Sequence, residues 1–221
     1  MTTYKKARSF LRIEGDFRDD RIFLIACDDR YAPEQYFGFL KIPRIRLYVV
    51  PTEDCTSHAK HVLTRLLSFE AEEFDERWML LDTDHCIEEN HFQAFEEALK
   101  TARQNKVKIA LSRPCFEFWL ALHVFKKEEV LKKNWKSAAE IEKDLSAFLP
   151  QGYNKTKLRK DDYLDSISNA FRLAKELDSS VKGGDRPEEN TTRIYRLFES
   201  LLGSMSLKQR AELPEYLRIF E

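Results

Sequence analysis

The sequence predicts an α/β fold, a largely parallel sheet flanked by helices, followed by a mainly α-helical C-terminal region. Three observations carry that prediction. From about residue 21 to 125, short apolar runs alternate with longer stretches of helical period, the pattern of strands joined by crossover helices. The runs in RIFLIACDD and WMLL are unbroken rather than alternating, as strands covered on both faces require, and IRLYVVP and VKIAL also read as extended. Beyond Phe125 the texture changes to charged amphipathic segments, EEVLKKNW, SAAEIEKDLSAFL, LDSISNAFRLAKEL and TTRIYRLFESLL. The chain thus divides into an α/β core, 1–125, and a helical region, 126–221, packed on or beside it.

Each element has a local reason. SFLRI is a short edge strand ended by Glu14-Gly15, where glycine permits a sharp change of direction. Arg21 opens a stronger strand, six apolar residues stopped by Asp28 and Asp29. Pro33 suits the first turn of the next helix, and Pro51 closes the strand IRLYVV. Thr56 or Ser57 caps a helix whose Val62, Leu63, Leu66 and Leu67 form one buried face. WMLL is too short for a helix; Phe92, Phe95, Leu99 and Ala102 recur at helical spacing; VKIAL is extended again. The segments PQGYNKTK and SSVKGGDRPEEN separate the later helices, the second having the composition of an exposed loop.

Composition limits the function classes. With 221 residues, 43% hydrophobic and 34% charged, the chain can bury a sizeable core. Against 38 Asp+Glu stand 37 Lys+Arg, a net charge of -1, so a nucleic-acid partner must be met by a local basic patch. Cys27, Cys55, Cys86 and Cys115 are dispersed, without a C-x-x-C pair, which fits a reducing compartment. The N-terminal apolar stretch is too short and broken for a signal peptide, and no long uncharged span follows. A cytoplasmic protein without a membrane partner is expected; composition does not fix its oligomeric state.

WMLLDTDHCIEEN places Asp82 and Asp84 directly behind a buried-looking strand. In a parallel sheet, ligands bind at the carboxyl ends of the strands, and residues two apart on an extended segment point the same way. Two crowded carboxylates repel, so the arrangement favours a proton on one or a bound cation, and hard oxygen ligands suit Mg2+ or Mn2+. Asp-Thr-Asp-His reads equally as the start of a helix, since Asp and Thr cap helices. A nucleotide-sugar transferase also uses such a pair, but nothing else in the chain supports one. Asp28, closing an earlier strand, is the natural third carboxylate. In ALSRPCFEFWLALHVF a single acid, Glu117, stands among Phe116, Phe118, Trp119 and Leu120, and a buried carboxylate needs a partner or a purpose. An ion pair with Arg113, four residues earlier, is one answer; a place in the same crevice is the other.

IFLIACDD, Tyr36-Phe37, LLDTDH, SRPCFEFWLALH and GYNKTK, in this order, resemble the RloB-like family of Toprim-related proteins. The most specific piece is similar to the family's S-N-P-C-F-E-x-W, with Arg113 where asparagine is usual. The resemblance implies a Toprim-like sheet, metal roles for Asp82 and Asp84, and a nuclease of bacterial restriction and anti-phage loci. One departure matters. The family's E-G-x-x-T-E-x-x-Y-F becomes Asp28-Asp29 and Ala32-Pro33 before Tyr36-Phe37 in a gapless match, so both signature glutamates are missing. A rival register uses Glu14-Gly15 as the E-G pair. Asp28 is preferred because it follows the better strand; Glu14 and Glu34 remain weaker candidates.

The expected chemistry is phosphodiester hydrolysis of RNA, transfer RNA included, or of DNA. Asp28, Asp82 and Asp84 hold Mg2+ or Mn2+, with Asp28 alternatively a general base and Glu117 orienting a water or holding Arg113. Arg113, Lys155, Lys157, Arg159 and Lys160 steer phosphates, although a run such as KTKLRK is more often a solvated surface. Other residues offer less. Cys115 and His123 are separated by about 12 Å of helical rise, too far for a catalytic pair. His85 and Cys86 lack a zinc spacing toward them. Phe116, Phe118 and Trp119 read as core. From another class comes a noncatalytic Toprim-like module that binds nucleic acid or a defence-system partner protein, with Trp135 on its helical tail as a contact.

Overall fold

The structure is a computed structural model that describes residues 20–52, 58–69, 75–84 and 92–218. Its centre is one five-stranded sheet in the order β2-β1-β3-β4-β5, formed by β1 (Arg21–Cys27), β2 (Ile45–Val49), β3 (Glu76–Asp82), β4 (Lys108–Arg113) and β5 (Thr191–Thr192). The first four strands run parallel, with Cys27 opposite Leu80 and Asp82 opposite Ser112. Only β5 is antiparallel, pairing Thr192 with Ser112 and Thr191 with Arg113. The expected α/β architecture is therefore present. The SFLRI strand and the capping residues Thr56 and Ser57 lie outside the described residues.

Strand alternation sorts the core into two layers. Phe23, Ile25, Cys27, Trp78, Leu80 and Ala110 face one side, against α1 (Ala32–Phe39), α4 (Phe116–Val124), α6 (Ala138–Phe148), α7 (Ile167–Ser180) and α8 (Tyr195–Gly203). Ile22, Leu24, Ala26, Met79, Leu81 and Leu111 face the other, against α2 (Ala59–Leu67) and α3 (Phe92–Gln104). The α2 face is Val62, Leu63 and Leu66, as the spacing requires; Leu67 is only half-buried. Eight of the nine α4 residues are buried, from Phe116 to His123. A helix apolar all round must sit inside the protein, and α4 packs between the sheet and the helices that follow it.

The region after residue 125 continues this core. α5 (Lys127–Lys133), α6, α7, α8 and α9 (Leu207–Ala211) make it mostly helical, yet it also supplies β5. TTRIYRLFESLL, expected as one helical segment, opens with that strand because Thr191 and Thr192 dock on the β4 edge before α8 begins. Trp135 is a further correction. It is 2% exposed, packs on Phe118 and Phe125 at 6.1 and 5.6 Å, and its Nε1 donates to Asp144, so it is a core residue rather than an exposed contact. No described helix is long and apolar enough to cross a membrane.

Candidate functional site: a carboxylate cluster at the ends of β1 and β3

Parallel pairing of β1 and β3 brings the residues after both strands to one end of the sheet. Asp28 Oδ2 accepts the main-chain N–H of Asp82 at 2.7 Å and Oδ1 that of Asp29 at 3.0 Å. Asp28 thus bridges the two strand ends. Asp29 serves differently, accepting the N–H groups of Tyr31 at 2.6 Å and Ala32 at 3.3 Å, which fixes the first turn of α1. The backbone after Asp82 is anchored to the neighbouring strand end, since Thr83 N–H and Asp84 N–H both donate to the Pro114 carbonyl, at 3.0 and 3.1 Å. The Arg113-Pro114 peptide bond is cis. That anchor aligns Asp82 and Asp84 beside the start of α4, whose first turn carries Glu117.

The side chains then share a field. Burial pushes the Asp82 carboxyl well above its ordinary pKa, and the charges of Asp28, Glu117, Asp84 and Asp29 push it further. Burial likewise raises Asp28 to about 7, although the Asp82 and Asp29 amides favour its charged form. Glu117 is 2% exposed; burial raises it, Asp29 adds to the rise, and the hydrogen bonds of Cys115 and Tyr153 oppose it. Among the described residues no Lys or Arg forms an ion pair with Asp28, Asp82 or Glu117. The structure therefore brings Asp28, Asp82, Asp84 and Glu117 together and leaves the first two and Glu117 without a basic counter-charge.

The Arg113 reading of Glu117 is not realised. Arg113 Nη1 donates to the Pro187 carbonyl at 2.6 Å, while Glu117 Oε1 accepts the Tyr153 hydroxyl at 3.0 Å. Tyr153 reaches it because the chain turns at Gly152, whose φ of +71° a side-chain-bearing residue rarely adopts. The following loop is clamped from α1. Gln35 Nε2 donates to the Lys155 carbonyl at 2.7 Å, and Gln35 Oε1 accepts Leu158 N–H at 2.8 Å. These two contacts hold the basic loop against the helix that starts beside Asp29. Lys157 and Lys160 are exposed, Lys155 stands 3.9 Å from Glu142, and Arg159 is half-buried with its Nη1 unbonded.

The remaining candidates are placed as follows. Glu34 lies on the exposed first turn of α1; Glu14 and His85 lie outside the described residues. Cys115 is buried and its thiol is driven upward by burial and by Asp82 and Glu117, so it is held protonated. His123 is buried between the Tyr36 hydroxyl and the Trp119 carbonyl, 3.0 and 2.9 Å away, and burial lowers it to about 3. Both are core groups at neutral pH. Sequence reasoning missed Gln35 and the role of Tyr153. Tyr153 stood in the quoted GYNKTK segment; a half-buried glutamine on a helix carries no comparable signal.

The fit to a divalent cation is partial. The donors are hard, mutually repelling oxygens in a desolvated crevice, the chemistry that suits Mg2+ or Mn2+. Among the described residues, however, no three His, Cys, Asp or Glu side chains form a ready-made metal cage. Each Asp28 oxygen already accepts one amide, which leaves it one further lone-pair direction.

The fold and this cluster define an α/β protein with an acidic crevice at the carboxyl ends of a parallel sheet. The model of the family described as RloB-like protein matches residues 23–201, so the chain belongs to the RloB-like family. No curated protein and no solved structure matches it.

Proposed function

We propose that this protein is a metal-dependent nuclease of the Toprim-related kind, hydrolysing phosphodiester bonds of RNA, transfer RNA included, or of DNA in a bacterial restriction or anti-phage system. The observation that carries the reading is the convergence of Asp28, Asp82, Asp84 and Glu117, with no basic partner for Asp28, Asp82 or Glu117 among the described residues. Uncompensated buried carboxylates are costly, and proteins keep them where chemistry uses the charge. The defence setting rests on the resemblance of the family motifs alone.

Asp82 and Asp84, with Asp28, would hold Mg2+ or Mn2+, which when bound supplies charge to a phosphate and acidity to a water. The chain's own groups do the rest. The alternative role of Asp28, in place of metal ligation, is that of general base, to which a pKa of about 7 is suited. Glu117, fixed by Tyr153, orients a water in the crevice, and Lys157 and Lys160 draw the phosphate backbone toward it. The decisive experiment incubates the protein with labelled RNA and DNA pools and Mg2+ or Mn2+. Cleavage should vanish with EDTA and fall at least about 100-fold in Asp82→Asn, the scale of losing one charge-stabilising group.

One observation favours a second reading. The family glutamate is replaced by a shorter aspartate whose oxygens bind main-chain amides, and no ready-made cage stands among the described residues. A noncatalytic module that binds nucleic acid or a partner protein would keep its affinity in EDTA and in Asp82→Asn, and would cleave nothing.

A further inference from the structure

A cavity of about 330 Å3 lies along the outer edge of β4, and its chemistry is the reverse of the carboxylate crevice. Arg103, Lys108, Arg193 and Arg196 line it with Asp185 as the one acid, and its apolar lining includes Trp78 from one face of the sheet and Ile109 from the other. Trp78 sits about 13 Å along β3 from Asp82, so the two sites are separate.

The cavity exists because β5 is only two residues long. It covers Ser112 and Arg113 and leaves the earlier part of the β4 edge without a strand beside it. Leu111 O accepts Arg193 N–H at 2.8 Å on that side, so the period of two turns the Ile109 N–H and C=O the same way. The outer wall is the loop after α7. Gly183, at a φ of +96°, makes its turn, and a Cβ there would stand 1.8 Å from Arg186 O. This turn places Asp185 against Arg103.

The charges do not cancel. Arg21 and Lys108 share Glu76, Arg193 and Arg196 share Asp178, and Arg103 takes Asp185, which sets five cations against three acids. Arg193 is the informative member. Its side chain is 10% exposed, lines the cavity and bonds Asp178 through Nε at 3.0 Å, and its terminal amino groups make no hydrogen bond among the described residues. Guanidinium donors left open to a cavity are met there by water or by a bound acceptor. A phosphate dianion supplies two negative charges and several acceptors in a form that matches the arginine fork. The volume is that of a small-ligand pocket and too small to follow a polymer.

We propose that this cavity binds a phosphate-bearing small molecule, with the phosphate on Arg103, Lys108 and Arg193. The site is independent of the nuclease reading. Calorimetric titration of the full chain in EDTA with AMP, ATP, inorganic pyrophosphate and adenosine tests it. The phosphate-bearing probes should bind and adenosine should not. Tighter binding of AMP or ATP than of pyrophosphate assigns a nucleotide; the opposite order assigns an inorganic phosphoanhydride. Arg103→Ala and Lys108→Ala should each weaken binding by about tenfold, the scale of a charged hydrogen bond. Asp185→Asn should tighten binding by freeing Arg103, and Asp82→Asn should leave it unchanged. Arg103 is 53% exposed, so its replacement leaves the core intact, and an unchanged thermal midpoint checks this. Equal binding of adenosine, indifference to Arg103→Ala, weaker binding by Asp185→Asn, or loss in Asp82→Asn would each overturn the assignment.

Discussion

β3 carries a carboxylate at each end, and the two live under opposite rules. At its start, burial works against the charge of Glu76, but hydrogen bonds from Lys108, Ser200 and Trp78, with the charge of Lys108, outweigh it and hold the pKa below the ordinary value. Arg21 adds an ion pair at 2.8 Å. Asp178 on α7 is handled the same way: Arg193, Tyr195 and Arg196 overcome its burial. At the other end of β3, burial of Asp82 meets only more negative charge and the pKa rises. One chain thus neutralises Glu76 and Asp178 with cations and hydroxyls and leaves Asp28 and Asp82, at the ends of two strands, without a cation partner among the described residues. The lack of compensation leaves raised pKa values, a strain that a proton or a bound cation would relieve.

The largest test of that contrast is a pair of substitutions. Asp178→Asn strands Arg193 and Arg196 and should cost about 3 kcal/mol in urea unfolding. Asp82→Asn removes repulsion and should leave stability unchanged or raised. Equal losses in the two variants would break the contrast.

Next in size is the dependence of stability on pH in EDTA. Asp28 titrates near 7 when folded and near about 3.9 when unfolded. Its raised pKa means that the folded state holds the proton more tightly, so this contribution is fully present below about pH 4 and is lost as pH rises toward 7. Glu76 and Asp178, with depressed values, act oppositely: their contribution is present above about pH 4 and is lost in acid. Unfolding midpoints should therefore decline between about pH 5 and 7, and Asp28→Asn should flatten that decline. A midpoint that climbs over the same range would contradict the assignment. If the crevice takes a divalent cation, Mg2+ should restore stability chiefly on the alkaline side.

Smaller effects probe the loop beside the crevice. Gln35→Ala removes both main-chain contacts to this loop and a third to the Tyr31 carbonyl, and should cost about 1 kcal/mol, read most directly as faster tryptic cleavage after Lys155 and Lys157. Smallest is Tyr153→Phe. It removes the hydroxyl that favours the charged form of Glu117, so any cleavage profile should shift to higher pH with little change in unfolding.

Legibility in the sequence followed the range of the interactions. Strands β1 and β3 were visible because a strand covered on both faces must be apolar throughout, as IFLIAC and WMLL are, whereas β2, at the sheet edge, is largely only half-buried. The ends of two such strands pointed to Asp28 and Asp82. Glu117 stood out as one acid in an apolar helix. Its partner did not, because Tyr153 is 36 residues away and arrives through a turn at Gly152. Thr191 and Thr192 read as the beginning of a helix, since two residues carry no period, and only the free β4 edge makes them a strand. Trp135 lay in charged surroundings, and its burial is decided by Phe118 and Phe125 from another element.

What the amino-acid order alone determined is the α/β core, the two faces of its sheet and the strand ends that bear acid, because these follow from local periodicity and from the carboxylate's need for water or a partner. Tertiary structure decided which acids are neutralised. That choice depends on cations and hydroxyls far along the chain, such as Lys108 on Glu76 and Tyr153 on Glu117, whose approach only the packed fold can bring about.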